Sequence, residues 1–369
     1  MKSTLYVGRL AGVELHIHST FPLILLWSFW RGWTNGGLFI GFTECLLILT
    51  LFGCVALHEL GHSLVARFFG IGTQRIVLYP IGGVASLDRI PSRPHQELLM
   101  ALGGPAVNLA IAGGLSLIGG GLPRFDELAA NPITLRLWVS ALIASNLALA
   151  IFNLIPAFPM DGGRVFRSFL AFFLPHSKAT SIAFWLGIVV ATGLAVVGIF
   201  SGNPFLIVIA LFIGMSGRQE NNSVQLLHQL DRHIVADIMQ RNPLTLGVEE
   251  PLSACLQKSS ENHRSDFIVL HEGRIVGLLP DHTWRASLRT RGPNTPAGTG
   301  MDTRFAVLSP QMTIGKLAAL AQSMRQSFFP VLEGGIPIGI ITSGDLAQEI
   351  LRVSPRHKRS PSGWRIDLG

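Results

Sequence analysis

Leu46-Leu47-Ile48-Leu49-Thr50-Leu51-Phe52-Gly53-Cys54-Val55-Ala56-Leu57-His58-Glu59-Leu60-Gly61-His62, running on to Phe69, is the stretch from which the rest of the chain is read. It is apolar for longer than the roughly 20 residues that a helix needs to cross hydrocarbon. Inside it stands H-E-x-x-H, His58 to His62. On a helix, positions i and i+4 share a face, so both imidazoles can bind one metal ion. Glu59 projects nearby, where it can take a proton from water. Ionisable side chains in an apolar span are costly and are by default functional. The competing reading is a polar cluster satisfied within a helix bundle.

A zinc centre needs a third protein ligand and keeps a position open for water. The candidate source is Asn153-Leu154-Ile155-Pro156-Ala157-Phe158-Pro159-Met160-Asp161-Gly162-Gly163-Arg164. Two prolines break a helix there and Gly-Gly permits a sharp turn. Asp161 sits in that break and can point inward as an oxygen ligand. It can equally cap the helix that starts near Gly163.

Composition agrees with a membrane setting. Of the 369 residues, 49% are hydrophobic and 14% charged, and mean hydropathy is +0.44. A typical soluble domain is about 25% charged. Both a soluble enzyme and a disordered chain are therefore disfavoured. Residues 1–217 hold 12 Lys+Arg and 8 Asp+Glu, while residues 218–369 hold 17 and 14, so charge density roughly doubles at Arg218. We expect a transmembrane domain over 1–217, a linker over 218–232, and soluble units at 233–290 and 291–352. A basic tail follows over 353–369, placed for contact with anionic lipid. The net charge of +7 resolves into +4 from 1–217, +4 from Arg352 onward and −1 between, so no folded part carries a nucleic-acid surface.

About six spans are expected, near 19–35, 40–69, 97–121, 133–156, 180–200 and 203–217, the last being short. Nine basic residues (Lys2, Arg9, Arg67, Arg75, Arg89, Arg93, Arg164, Arg167, Lys178) fall on one side and three (Arg31, Arg124, Arg136) on the other. That asymmetry puts the N-terminus and the C-terminal units in the cytoplasm, with Arg164 and Arg167 at the cytoplasmic surface. The expected location is the inner membrane. Trp27, Trp30 and Trp33 read as interface anchors. The start, Lys2 to Arg9, lacks the continuous apolar core of a signal peptide. Two stretches depart from the helical pattern. Val13–His18 alternates as a half-exposed strand, with His16 and His18 at the interface or near the metal. Residues 75–87 read as a membrane-associated β-hairpin around Pro80 and Gly82-Gly83. Cys45, Cys54 and Cys255 are isolated and form neither a disulfide framework nor a zinc site.

H-E-L-G-H in one span with N-x-x-P-x-x-P-x-D-G-G in a later one resembles the site-2 protease family of intramembrane metalloproteases. The resemblance implies one Zn2+ per chain held by His58, His62 and Asp161, with Glu59 as general base. It aligns the family's Gly-Gly hairpin with Gly82 and Gly83. The Asn of its Gly-rich third span falls on Asn108, placed either in catalysis or in a hydrogen bond between helices. The Asn of its second motif falls on Asn153, where it can bind substrate backbone. The implied activity is hydrolysis of a peptide bond in or near the transmembrane segment of a membrane-protein substrate. An anti-sigma factor or a membrane-bound transcription-factor precursor would be such a substrate.

The soluble half contains a repeat of about 65 residues. His233–Leu246 opens one unit and Gly300–Leu308 the next. Each continues with a helical stretch (251–260, 314–324) and two short strands (267–270 with 275–279, 329–332 with 336–341). This α/β unit resembles a tandem pair of CBS domains, and the whole architecture resembles the sporulation and archaeal branch of the protease family. The resemblance implies binding of ATP or another adenine nucleotide and a homodimer through the pair. Thr342-Ser343-Gly344-Asp345 fits the family's T-x-x-D ribose contact, whereas Pro280-Asp281-His282-Thr283 departs from it. Asp345 can instead cap the last helix. The alternative to the protease is a CBS-gated ion transporter or channel using the intramembrane His/Glu cluster; the Asp161 motif speaks against it.

Overall fold

A computed structural model describes residues 4–353 other than 81, 89–90, 92, 120–134, 263 and 325. The expectations for Ile81, Arg89, Arg124 and the tail beyond Val353 lie outside the described residues. The chain divides into two compact units, Met1–Asn221 and Asn222–Gly369.

The first unit opens with strands β1 (Thr4–Leu10) and β2 (Val13–His18), then helices α1 (Phe21–Gly36) and α2 (Leu38–Phe68). Pro22 lies in the first turn of α1, where its missing N–H costs nothing. Gly37 at φ 85° separates α1 from α2. The two helices pack through glycines: a Cβ on Gly32 would lie 2.8 Å from the Gly41 Cα. Strands β3 (Thr73–Tyr79) and β4 (Gly82–Leu87) follow, then α3 (Pro94–Gly119), α4 (Leu135–Asn153), α5 (Asp161–Leu170), α6 (His176–Phe200) and α7 (Pro204–Leu230).

Each expected span coincides with a helix, but not all have spanning length. Among the described residues α2, α3 and α6 are long and apolar enough to cross a membrane. The apolar part of α4 is the shorter Trp138–Asn153. Helix α1 has 16 residues and rises only about 24 Å. Helix α7 does not stop at 217 but runs on to Leu230. Polar residues end an apolar span without ending a helix, so hydropathy marked the change of solvent and not the end of the element.

The expected hairpin is one half of a larger element. The four strands form one sheet in the order β1-β2-β3-β4. β1 pairs with β2 antiparallel, β2 with β3 parallel and β3 with β4 antiparallel. The expected hairpin is present as β3 and β4, and β1 and β2 extend it to a four-stranded sheet. The parallel register, Glu14 to Arg75 through Ile17 to Leu78, joins residues about 60 apart, which a local period cannot report. One face of the sheet buries Ile76 and Leu78 against Ala56 and Leu60 of α2, with Leu15 and Ile17 alongside. This packing fixes the sheet on the helix that carries the histidines.

The second unit holds α8 (Val235–Ile238), β5 (Gln240–Arg241), β6 (Leu244–Gly247), α9 (Ser253–Asn262), β7 (Phe267–His271), β8 (Arg274–Leu279) and α10 (Asp281–Arg291). The second repeat supplies α11 (Ile314–Ser323), β9 (Phe328–Glu333), β10 (Ile336–Thr342) and α12 (Ser343–Val353). The two three-stranded sheets are ordered β6-β7-β8 and β5-β10-β9. Each repeat lends its opening segment to the other: β5 pairs with β10, and Asp302 bridges to Leu278. Ile268, Leu278, Phe328 and Ile340 bury the seam between the sheets. Leu226 and Leu230, near the end of α7, pack into the core of Ile314, Leu317 and Phe329. The stretch expected as a linker is thus helical to Leu230.

Candidate metal centre

Helix α2 presents His58 and His62 on one face, as their spacing requires. Helix α3 crosses this face almost in backbone contact. A Cβ on Gly61 would stand 2.5 Å from the Gly103 oxygen, and one on Gly103 would stand 2.8 Å from the Gly61 oxygen. Only glycine allows this approach. Gly104, the next residue, faces both imidazoles: a Cβ there would lie 2.6 Å from His58 Nε2 and closer still to His62 Nε2.

Asp161 reaches the same point from α5. After α4 ends at Asn153, the chain turns back across the start of α5. Gly162 packs on the Leu154–Ile155 backbone and Gly163 on that of Ala157 and Phe158. Side chains at either position would force this loop away and carry Asp161 with it. Asp161 is the first residue of α5 and makes no capping bond; Met160 is the N-cap.

The three donor atoms form a nearly equilateral triangle. His58 Nε2 is 3.2 Å from His62 Nε2, and each of them is 3.2 Å from Asp161 Oδ2. Bonds of about 2.0–2.1 Å in a tetrahedral zinc site give donor–donor edges of about 3.3 Å. Two imidazoles and a carboxylate are also a usual zinc set, so the residues present fit that ion. They are the one group of metal-ligating side chains among the described residues with this spacing. His62 Nδ1 lies 2.7 Å from the Met100 carbonyl. That contact assigns the proton to Nδ1 and leaves the Nε2 lone pair for a metal.

Glu59, next along α2, lies under the sheet. A Cβ on Gly83 would stand 2.6 Å from Glu59 Cγ and 3.2 Å from Oε1. Gly83 therefore lets β4 pass directly over this carboxylate, and Gly82 begins β4 at φ 143°. Asn153 closes α4, half-buried. Asn108 is fully buried on α3, with both amide atoms lacking a hydrogen-bond partner among the described residues. His16 and His18 are not among the clustered donors. His16 contacts Glu14 and the edge of Tyr6, and His18 stacks on Tyr79 and bonds Thr20.

Arg167 corrects a reading. It is not a surface residue but 5% exposed, bonded through Nε to Glu97 of α3 at 2.8 Å and through Nη1 to Glu220 of α7 at 2.6 Å. Its guanidinium also lies over the Phe158 ring. The helix that carries Asp161 is thus tied by one cation to two other helices. Arg164 is exposed. Gly104 and Arg167 both escaped sequence reasoning: a Gly-rich span does not say which glycine faces the histidines, and an Arg near a span end looks like any orienting charge.

In the second unit, a cavity of about 310 Å³ is lined by Gln240, Arg264, Asp266, Asp281 and Thr342 among others. Burial pushes the Asp266 carboxyl up from its usual range, and the nearby charge of Asp281 adds to this. Thr342 and Asp345 form a reciprocal cap of α12. The Asp345 N–H donates to Thr342 Oγ1, and Asp345 Oδ2 accepts from the Thr342 N–H at 2.8 Å and its hydroxyl at 2.7 Å. Gln240 Nε2 donates to the same carboxylate at 2.9 and 3.0 Å. No such cap forms at Pro280–Thr283, where proline is the N-cap.

The model of peptidase family M50 matches residues 46–129 and 122–196, and that of the CBS domain matches residues 235–284 and 301–352. A zinc metalloprotease of Methanocaldococcus jannaschii is 33% identical over 280 residues, which is 76% of this chain and 78% of that protein. Stage IV sporulation protein FB of Bacillus subtilis is 24% identical over 270 residues, 69% of this chain and 88% of that protein. Among solved structures, a site-2 protease from Methanocaldococcus jannaschii is 34% identical; the match covers 59% of this chain and 95% of that one, with a TM-score of 0.44.

Proposed function

The chain belongs to peptidase family M50 and is a membrane-embedded zinc metalloprotease with a CBS domain pair, and from that premise we propose that it cleaves a transmembrane segment of its substrate under nucleotide control. The observation that carries this reading is the triangle of His58, His62 and Asp161 beside Glu59.

His58, His62 and Asp161 would hold the zinc ion, one per chain. When bound, zinc supplies Lewis acidity, polarising the scissile carbonyl and making water acidic near pH 7. Glu59 accepts the proton of the attacking water and delivers it to the leaving amine. A helical substrate hides its carbonyls in hydrogen bonds and must first unwind. β4 is the last strand of the sheet, so its outer edge can receive an extended segment. Because Gly83 lies against Glu59, a segment paired with β4 is brought to the proton acceptor. Asn153 would bond the substrate backbone.

At the CBS pair, an adenine nucleotide would enter the cavity beside Thr342, with its ribose toward Asp345. To reach that carboxylate it must displace Gln240. The unequal ends of the two repeats favour one site per pair. The basic side of the spans favours a cytoplasmic N-terminus and CBS pair in the inner membrane, and the CBS pair supports a homodimer. A membrane-bound transcription-factor precursor or an anti-sigma factor fits the substrate class.

The test is direct. The full chain is purified in detergent, its zinc is counted, and a candidate transmembrane substrate is offered to wild type and to Glu59→Gln. Zinc in both proteins, with cleavage only by wild type, supports the reading; cleavage undiminished in Glu59→Gln overturns it. Asn153→Ala should impair cleavage more than zinc content, and an equal loss of both would remove its substrate role.

A further inference from the structure

Three contacts set the register of α2 against α3. Gly61 packs on Gly103, Gly104 faces both imidazoles, and His62 bonds to Met100. Going from Gly104 back to Met100 leads toward His62, so the helices are antiparallel. One turn onward from Gly104, Asn108 is level with the turn of α2 between Cys54 and His58. Helix α4 joins them there: Asn146 Nδ2 is 3.4 Å from Cys54 Sγ and donates to the Leu142 carbonyl at 2.9 Å. Three helices therefore bring Cys54, Asn108 and Asn146 into one layer, a single helical turn from His58.

This layer is closed and polar. Asn108 and Asn146 are 0% exposed and His58 is 5%. His58 Nδ1, both amide atoms of Asn108 and Asn146 Oδ1 are all buried with no partner among the described residues. Buried polar atoms in folded proteins are nearly always paired, with protein or with ordered water. An internal water needs two to four such partners and a polar setting, and this layer offers donors and acceptors together. A metal-bound histidine donates its second N–H to a fixed acceptor that orients the ring. His62 has the Met100 carbonyl for this purpose, whereas His58 has no protein acceptor among the described residues.

We propose that Asn108 and Asn146 hold internal water that accepts the His58 Nδ1–H bond, which makes both asparagines positioning residues for the metal ligand. The proposal rests on His58 binding the metal through Nε2. It explains why an asparagine is placed in a helix contact without bonding across it. It also gives the two histidines different supports, a carbonyl for one and water for the other.

The experiment measures zinc affinity by chelator competition, and melting of the zinc-free protein, on the full chain in detergent. Asn108→Leu fills the layer with a side chain of similar size and no polar atom. It should weaken zinc binding about 10- to 100-fold while the zinc-free protein melts no lower than wild type. Asn108→Ser, which keeps a hydroxyl and leaves room for a second water, should recover most of that affinity. Asn146→Leu should reproduce the loss, and it decides the matter if Asn108→Leu does not fold. Wild-type zinc affinity in whichever leucine variant folds overturns the proposal. So does a loss of affinity matched by lower melting and not recovered by serine, which marks a packing role. His58→Ala separates the two levels: if it leaves zinc binding intact, the ligand assignment itself has failed.

Discussion

Gly104→Ala is the most local perturbation of the metal centre that the structure offers. The added methyl would stand 2.6 Å from His58 Nε2 and nearer to His62 Nε2. Carbon and nitrogen in contact prefer about 3.5 Å, so the overlap at His58 is about 0.9 Å and at His62 larger. Helix α3 cannot retreat freely, because Gly103 and Gly61 hold its backbone against α2. The imidazoles must move instead, by about 1 Å, from a triangle whose 3.2 Å edges suit zinc. Losing an outer-shell partner costs about 10- to 100-fold in metal affinity; displacing two donors should cost more. Cleavage should fall by at least about 100-fold, as it does for a 1 Å misplacement. The assay is chelator competition for zinc on the purified chain, with Gly113→Ala as control. Nothing lies within 4 Å of a Cβ at Gly113 on the same helix, so that variant should bind zinc normally. Wild-type zinc affinity in Gly104→Ala would refute the placement of α3 over the histidines.

Three further expectations follow from other contacts. Gly83→Ala puts a methyl 2.6 Å from Glu59 Cγ, and the three nearest atoms to it all belong to Glu59; cleavage should drop while zinc content stays at wild type, and a parallel loss of zinc would contradict the separation of the two groups. Arg167→Met leaves Glu97, 6% exposed, without its cation; removing one partner of a buried pair costs about 3–5 kcal/mol, and melting that shows less than about 1 kcal/mol would mean Glu97 finds another partner or solvent. Burial pushes the Cys255 thiol up to about 11, so it stays protonated at pH 8 and should resist alkylation in the folded CBS pair; labelling as fast as in denaturant would show that this core opens.

The motif residues were legible because each rests on a rule that acts within a few positions. His58 and His62 share a helix face by spacing alone. Asp161 was marked by two prolines and Gly-Gly, which can only break a span. The repeat of the CBS pair was visible because short strands and turns carry their own punctuation. Strand β2 was recognised by alternation and β3 as half of a hairpin, yet their pairing was not, since parallel pairing joins segments that share no local signal. Helix α7 was cut short because hydropathy reports solvent and not backbone hydrogen bonding.

What the sequence determined by itself is therefore chemistry: two histidines on one helix face inside an apolar span, a carboxylate beside them, and a second carboxylate at a broken helix. What only the tertiary structure decided is which neutral residues make that chemistry workable. Gly104 and Gly83 are defined by the space they leave for His58, His62 and Glu59. Asn108, Asn146 and Arg167 are defined by what surrounds them. A glycine or an asparagine carries no sign of its neighbours along the chain; those neighbours come from helices and strands that meet only after folding.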